Sequence, residues 1–180
     1  SRFVFLTSSR CSHFFCGISI RLNFIGERAY IIDTIMTTIQ FTKMHGIGND
    51  FVVVDLSHQH IQDLSQFAVD VCDRRFGVGG DGLLTIERTE PSDARMRMFN
   101  PDGSEDFCGN GLRCVVRYIV ERWLGEGKSN TEIVVETLAG SKKCIFCAVG
   151  PTITIDLGEP SFEPNVIPVL LDNLSTNGIQ

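Results

Sequence analysis

The sequence predicts an α+β protein in which a mostly antiparallel β-sheet is interrupted by two helices. Short segments of alternating or β-branched apolar residues recur along the chain, and short Gly-containing connections between most of them favour antiparallel neighbours. Only two segments have the periodicity of an amphipathic helix. A regular alternation of strands and helices, which would indicate a doubly wound parallel sheet, is absent.

The first predicted elements are two strands and a helix: TIQFTKM (38–44), FVVVDL (51–56) and QDLSQFAVDVCDRRF (62–76). The sequence HGIGND between the two strands is a Gly-containing turn. Within it, His45 is either an acid/base group or a donor in a structural hydrogen bond, and we favour the structural role. Asp63 or Ser65 can cap the helix, whose apolar residues recur at spacings of three and four, and Gly77 ends it.

The later elements are five strands, two loops and a second helix: strands at 83–87, 94–99, 132–137, 142–149 and 152–157, loops at 77–82 and 100–111, and LRCVVRYIVERWL at 112–124. This second helix has the clearest pattern and ends at Gly125. The glycines of 77–82 lack the Lys-Ser/Thr of a phosphate loop, and we expect no parallel strand–helix–strand unit around them. Tight-turn geometry explains these glycines better.

The first 35 residues differ from the rest of the chain, since they contain four arginines, several serines and few acids before the first methionine, Met36. This composition is typical of an organelle transit segment, but a transit peptide would begin with Met. We therefore favour a non-native leader, expect residues 1–35 to be poorly ordered, and leave them out of the predicted fold.

Charge and cysteine content narrow the classes of function. The formal net charge of −6 argues against a nucleic-acid partner, and no apolar run is long enough to span a membrane. Seven cysteines without the spacing of a disulfide framework indicate reduced thiols and a cytoplasmic protein, or a plastid one if the leader is a transit segment. Cys144 and Cys147 are three apart in a strand and face opposite sides, so we expect no metal site.

The segment FNPDGSEDFCGNGLRC at 99–114 contains the residues suited to catalysis. Cys108 precedes Gly-Asn-Gly and the second helix, where unpaired N–H groups and the helix dipole favour a thiolate. Gly109 and Gly111 leave the backbone open to a ligand, and the N–H groups of Gly109, Asn110 and Gly111 would hold a carboxylate. An amino acid bound there would present its α-carbon to the sulfur. A lone cysteine is more often a buried apolar residue, but this context favours a catalytic one.

Four segments in register resemble the diaminopimelate epimerase family: FTKMHGIGNDFVVVD (41–55), DRRFGVGGDGLL (73–84), the segment 99–114 and LGEPSFEP (157–164). The resemblance implies an isomerase of lysine and cell-wall biosynthesis that interconverts LL- and meso-diaminopimelate. It implies catalysis by two thiols, with no pyridoxal phosphate, metal or other cofactor. It also implies two similar halves, each a β-rich sheet wrapped round a central helix, with the substrate between them.

By motif position, the resemblance implies that Cys108 is the catalytic cysteine of the first half. It implies further that four residues contact the substrate: Asn49, Asn100, Gly109 and Asn110. Residues 36–160 would be the N-terminal half, and residues 161–180 would begin a truncated second half that lacks the second thiol. We therefore expect the chain alone to be inactive. Diaminopimelate is the expected partner, and a homodimer is left open.

Two departures from the family pattern affect the site. The interval Glu105–Cys108 is one residue shorter than in the commonest family form, and Gly82 stands where some members have a substrate-contacting glutamine. A related proline-racemase-like or phenazine-isomerase-like enzyme is one alternative function. An inactive half that acts as a binding remnant is another. The sequences MHGIGNDF and FNPDGSE favour the diaminopimelate family.

Overall fold

The computed structural model describes residues 17–21, 38–125, 130–149 and 152–159. In this part of the chain nine strands form one sheet: β1 (Gly17–Arg21), β2 (Thr38–Gly46), β3 (Asn49–Asp55), β4 (Gly82–Glu87), β5 (Ala94–Phe99), β6 (Glu105–Asp106), β7 (Thr131–Thr137), β8 (Gly140–Cys147) and β9 (Thr152–Ile155). Two helices, α1 (Leu64–Cys72) and α2 (Gly109–Tyr118), pack on its faces, and α2 continues as a π-helical turn, Ile119–Leu124.

The strands follow one another across the sheet in chain order, from β1 to β5 and then from β7 to β9, and β6 pairs with β5 at the side. The pairs β3–β4 and β5–β7 are parallel, and the other pairs are antiparallel, as predicted. One expectation is wrong, because β3, α1 and β4 form a parallel strand–helix–strand unit next to loop 77–82. That loop follows a helix, whereas a phosphate loop precedes one, so it still does not resemble a phosphate site.

Helix α2 lies at the centre of the curled sheet and packs against β2, β3, β4, β5, β8 and β9. Its buried apolar stripe is Leu112, Val115, Val116 and, at the start of the π-helical turn, Ile119, at the helical spacings of three and four. The sheet therefore wraps round this helix, which confirms the predicted fold class.

Helix α1 covers the other face of the sheet. Asp63 caps it by accepting a hydrogen bond from the Gln66 N–H at 3.0 Å. The helix ends at Cys72, four residues before the predicted end, because the Asp73 carboxylate accepts from the backbone N–H groups of Arg75 and Phe76 and draws the chain into a turn.

Strand β3 separates the two hydrophobic cores. Phe51 and Val53 pack in the core around α2, and Val52 and Val54 pack in the core beneath α1. Since side chains alternate along a strand, odd-numbered residues of β3 face α2 and even-numbered residues face α1.

The hairpin between β2 and β3 is closed by Ile47 and Gly48, whose φ angles are 56° and 86°. Both positive values match the two-residue type I′ turn that suits strand twist. Ile47 is 88% exposed, and a β-branched residue is uncommon in this left-handed conformation. A Cβ atom on Gly46 would lie 3.0 Å from the carbonyl oxygen of Asn110, so the hairpin tip rests on the start of α2.

The leader contributes β1, which pairs with β2 along Thr38–Thr42. The free backbone groups of the edge of β2 accept this further strand whatever its side chains. The poor order expected for residues 1–35 stays a prediction. The rest of the leader, and residues 160–180, lie outside the described residues. Within the described part of the chain, no helix has the length and apolar character needed to cross a membrane.

Candidate active site

Cys108 is the N-cap residue of α2, with φ −134° and ψ 116°. Its sulfur accepts from the Gly111 N–H at 3.4 Å, and its carbonyl oxygen accepts the first helical bond, from Leu112, at 2.9 Å. The side chain is half-buried. The predicted position of Cys108 at a helix start is confirmed, although the helix begins at Gly109 instead of Leu112.

Asn49 lies beside this sulfur. Its side-chain amide nitrogen donates to the Cys108 sulfur at 3.7 Å, across 59 residues of sequence. The structure thus brings together two residues that the sequence assigns to the site from separate motifs. Two N–H donors, from Asn49 and Gly111, point at one sulfur, and such donors favour negative charge on their acceptor.

The two glycines after Cys108 serve different purposes. A Cβ atom on Gly109 would meet nothing within 4 Å, so this face of the helix start is open to a ligand. A Cβ atom on Gly111 would lie 2.8 Å from Leu84, a fully buried side chain, so Gly111 is required for packing. The N–H of Gly111 is also directed at the sulfur. The predicted carboxylate contact therefore reduces to Gly109 and Asn110, whose N–H groups have no acceptor within the helix.

The side chains of Asn110 and Asn100 are already bonded. The Asn110 side-chain oxygen accepts from Arg113 at 2.6 Å, so the groups of Asn110 that can donate to a ligand are its backbone N–H and its side-chain amide nitrogen. Asn100 donates its amide to the Ser104 hydroxyl at 3.1 Å, and its backbone N–H donates to the Ser104 carbonyl at 2.8 Å. These bonds stay within the loop after β5, so a substrate contact of Asn100 remains a prediction.

A cluster of charges lies on the other face of β3, next to Asn49. Asp50 forms ion pairs with Lys43 and Arg74, and Arg74 also pairs with Asp81. The Arg74 hydrogen bond lowers the pKa of Asp50, burial opposes it, and Lys43 adds to the lowering, so this pKa lies well below its ordinary value. The sequence did not predict this cluster, although all four residues lie in two motifs, FTKMHGIGNDFVVVD and DRRFGVGGDGLL.

Gly82 and His45, which the sequence analysis also considered, are not placed to act in catalysis. A Cβ atom on Gly82 would lie 2.9 Å from both the Phe99 carbonyl oxygen and the Met98 methyl, so this position is packed and does not face a ligand. The His45 ring is exposed, and among the hydrogen bonds of the described residues none involves it. The structural hydrogen bond expected for His45 is therefore not found.

The remaining described cysteines differ from Cys108. Burial raises the pKa of Cys72 to about 11, of Cys114 to about 12 and of Cys144 to about 11. These three thiols are therefore neutral at physiological pH and belong to the core. Cys147 is only half-buried and points its sulfur at the Val149 carbonyl. Within the residues that the structure describes, no group of three His, Cys, Asp or Glu side chains could hold a metal ion.

A cavity of about 570 Å³ lies at the opposite end of β2, lined by residues that include Thr38, Gln40, Asp55, His58 and Tyr118. Cys108 does not line it. The Asp55 carboxylate in its wall already accepts from Trp123 at 2.7 Å and from the Tyr118 hydroxyl at 3.3 Å. We assign the site to Cys108 because the reactive group and its N–H donors converge there.

Comparison with known proteins identifies the family of this chain. The family model for diaminopimelate epimerase matches residues 41–163. Two curated diaminopimelate epimerases are similar over 136 residues, or 73% of the chain. The protein from Moorella thermoacetica is 46% identical and covered over 48% of its length, and the protein from Agathobacter rectalis is 43% identical and covered over 47%. The chain thus spans about half the length of these relatives.

Solved structures support the fold. A phenazine biosynthesis protein from Bacillus anthracis has a TM-score of 0.50 and 26% identity, and the match covers 67% of this chain and 40% of that one. A hydroxyproline epimerase from Agrobacterium vitis also has a TM-score of 0.50, with 18% identity, over 65% of this chain and 40% of the other, so it supports the fold alone. The family model matches residues 41–163, and the Cys-Gly-Asn-Gly segment of this chain lies at a helix start. The chain therefore belongs to the diaminopimelate epimerase family.

Proposed function

We propose that this chain is one half of a cofactor-independent epimerase that interconverts LL- and meso-diaminopimelate, with Cys108 as one of two acid/base thiols. One observation supports this most directly. The Cys108 sulfur lies at the N-terminus of α2, half-buried, with the Asn49 and Gly111 N–H groups directed at it and an open face beside Gly109.

The proposed mechanism follows from this arrangement. The substrate carboxylate binds the free N–H groups of Gly109 and Asn110, where the helix dipole favours an anion. The Cys108 thiolate then takes the α-proton, and the electron pair of the broken C–H bond is delocalised into the carboxylate. The same N–H groups stabilise the charge that develops there. A second acid returns a proton to the opposite face of the α-carbon, which inverts the centre.

The second acid is not supplied by a described cysteine of the core, since Cys72, Cys114 and Cys144 are buried. We infer that it comes from a second half of the site, and that the 180-residue chain alone does not epimerise diaminopimelate. We also propose a cytoplasmic location, because a reducing compartment keeps the Cys108 thiol free.

A chimaeric enzyme tests this function. Residues 41–163 replace the matching residues of the Moorella thermoacetica relative, which is 46% identical, so that a second half is present. We expect the chimaera to convert LL- to meso-diaminopimelate, measured by chiral chromatography, and not to racemise proline.

The outcomes separate the proposed function from its alternatives. Proline racemisation without diaminopimelate turnover would favour a proline-racemase-like enzyme. A folded chimaera that acts on neither compound would favour a phenazine-isomerase-like enzyme or a binding remnant. Circular dichroism and cooperative unfolding in urea identify a folded chimaera, so a misfolded one is not counted as a result.

A further inference from the structure

Asn49 and Asp50 are neighbours that face opposite sides of the sheet. The Asn49 amide reaches the Cys108 sulfur on the α2 side, and the Asp50 carboxylate enters the charge cluster on the α1 side. Because the two residues share one peptide bond at the start of β3, whatever fixes Asp50 also restricts the backbone from which Asn49 projects.

The cluster fixes Asp50 from several directions. Its carboxylate accepts from Arg74 at 2.6 and 3.3 Å, and it pairs with Lys43 from strand β2. Its backbone N–H donates to the Asp81 carboxylate at 3.0 Å, and its carbonyl accepts from the Asp81 N–H at 2.7 Å. Lys43 also donates to the carbonyl of Gly79. Loop 73–82 therefore holds the start of β3 through both side chain and backbone.

The hairpin tip beyond Asn49 is held less firmly. Ile47 is 88% exposed, and a Cβ atom on Gly48 would meet nothing within 4 Å. On the α2 side, the contact of Gly46 with Asn110 supports the tip but does not involve the Asn49 side chain. A hydrogen bond from an amide weakens steeply when its donor turns away, so Asn49 needs a fixed backbone.

We propose that Arg74, Asp50 and Lys43 are positioning residues that hold the Asn49 amide on the Cys108 sulfur. The motif DRRFGVGGDGLL thereby acts on the site without touching the substrate. This inference rests on the proposed function for its role in catalysis, but the coupling that it describes is a property of the chain itself. It assigns a role to Arg74, Asp50 and Lys43, whose side chains lie on the face of the sheet away from Cys108.

A double-mutant cycle on the 180-residue chain tests this coupling without any substrate. The readout is the rate at which iodoacetamide alkylates Cys108 at pH 7, followed on the Cys108 peptide by mass spectrometry. We expect Arg74→Gln to lower this rate about fivefold, which is roughly 1 kcal/mol and corresponds to one lost hydrogen bond. In an Asn49→Ala background, Arg74→Gln should leave the rate unchanged, because the amide through which it acts is gone.

Arg95→Gln is the matched control. Arg95 bridges two carboxylates, Glu87 and Glu136, as Arg74 does, and its side chain is 44% exposed against 57% for Arg74. Arg95→Gln removes the same positive charge as Arg74→Gln, but at a site away from Asn49 along the sheet. The alkylation rate of Cys108 should therefore not change. Asp50→Asn provides a second variant within the cluster, and it should slow alkylation in the same direction as Arg74→Gln.

The side-chain amide resonances of Asn49 give an independent signature, since Arg74→Gln should shift them and Arg95→Gln should not. The inference is overturned if Arg74→Gln leaves the Cys108 rate unchanged, or slows it equally with and without Asn49. It is also overturned if Arg95→Gln has the same effect. None of these measurements uses diaminopimelate. The positioning inference can therefore fail while the chimaera is active, and it can hold while the chimaera is inactive.

Discussion

Asp55 accepts a hydrogen bond from the indole nitrogen of Trp123 at 2.7 Å, and this bond joins the end of strand β3 to the π-helical turn that follows α2. At its other end, β3 contacts the start of α2 through Asn49 and Cys108. The strand therefore holds the central helix at both ends, and the position of the helix start relative to Asn49 depends on both contacts.

Replacement of Asp55 by alanine should destabilise the fold. The change leaves the Trp123 N–H, the Tyr118 hydroxyl and the Ser57 N–H without their acceptor, and we expect a loss of about 2 kcal/mol in the free energy of unfolding. Urea denaturation measures it. Asp70→Ala is the control, since among the described residues the Asp70 carboxylate accepts one exposed hydrogen bond, from the Gln66 side chain, and it should change stability by less than about 0.5 kcal/mol.

Stability should decrease in acid because of Asp50 and Asp55. Burial opposes ionisation of Asp55, but hydrogen bonds from Ser57, Trp123 and Tyr118 outweigh it, so its pKa lies below 3.8, as does that of Asp50. A carboxyl whose pKa is lowered by folding stabilises the protein above its unfolded pKa, and this contribution is lost as the pH falls.

We therefore expect the free energy of unfolding to be steady above about pH 5 and to fall as the pH drops through 3.8 and below. Urea titrations across this range measure the slope. In an Asp50→Asn, Asp55→Asn double variant the slope should be smaller. An equal slope in the double variant would show that other carboxylates are responsible.

Gly82 and Gly109 should respond in opposite ways to alanine. At Gly82 the added methyl would lie 2.9 Å from the Phe99 carbonyl oxygen, a backbone atom, so we expect a loss of about 1–3 kcal/mol. At Gly109 it meets open space, so stability should be unchanged or slightly higher, while ligand approach to the helix start is hindered. Thermal unfolding of the two variants compares them, and equal stabilities would contradict the packing described for Gly82.

The thiols should differ in reactivity by position. At pH 7 the Cys108 peptide should be alkylated at least about 100-fold faster than the peptides of Cys72, Cys114 and Cys144, which burial keeps covered and neutral. Peptide mass spectrometry over a time course with iodoacetamide gives the four rates. Comparable rates for Cys108 and Cys114 would mean that the Cys108 sulfur is not accessible.

The sequence predicted the parts of the fold that depend on local pattern. The strand Ala94–Phe99 has the predicted bounds, and Cys108 lies at a helix start because a Gly-Asn-Gly segment precedes a strong apolar stripe. The parallel pairing of β3 with β4 was missed, since pairing direction depends on where α1 packs and not on either strand alone.

The site was predicted only where single motifs define it. Asn49 and Cys108 come from different motifs, and only the fold shows that their side chains meet. The Asp50 cluster was missed for the same reason, because the partners of a charged side chain cannot be identified from one strand. For Gly111 the sequence predicted a ligand contact that the structure explains differently. A side chain at this position would collide with Leu84, so packing requires the glycine.

Deuterium incorporation tests the central claim most directly. In the chimaera that carries residues 41–163, the α-hydrogen of diaminopimelate should exchange with solvent D₂O, and proton NMR measures the rate. Cys108→Ser should lower this rate by at least about 100-fold while the fold is retained, because removal of a general base typically costs two to four orders of magnitude. Undiminished exchange in a folded Cys108→Ser chimaera would contradict the assignment of Cys108 as the acid/base thiol.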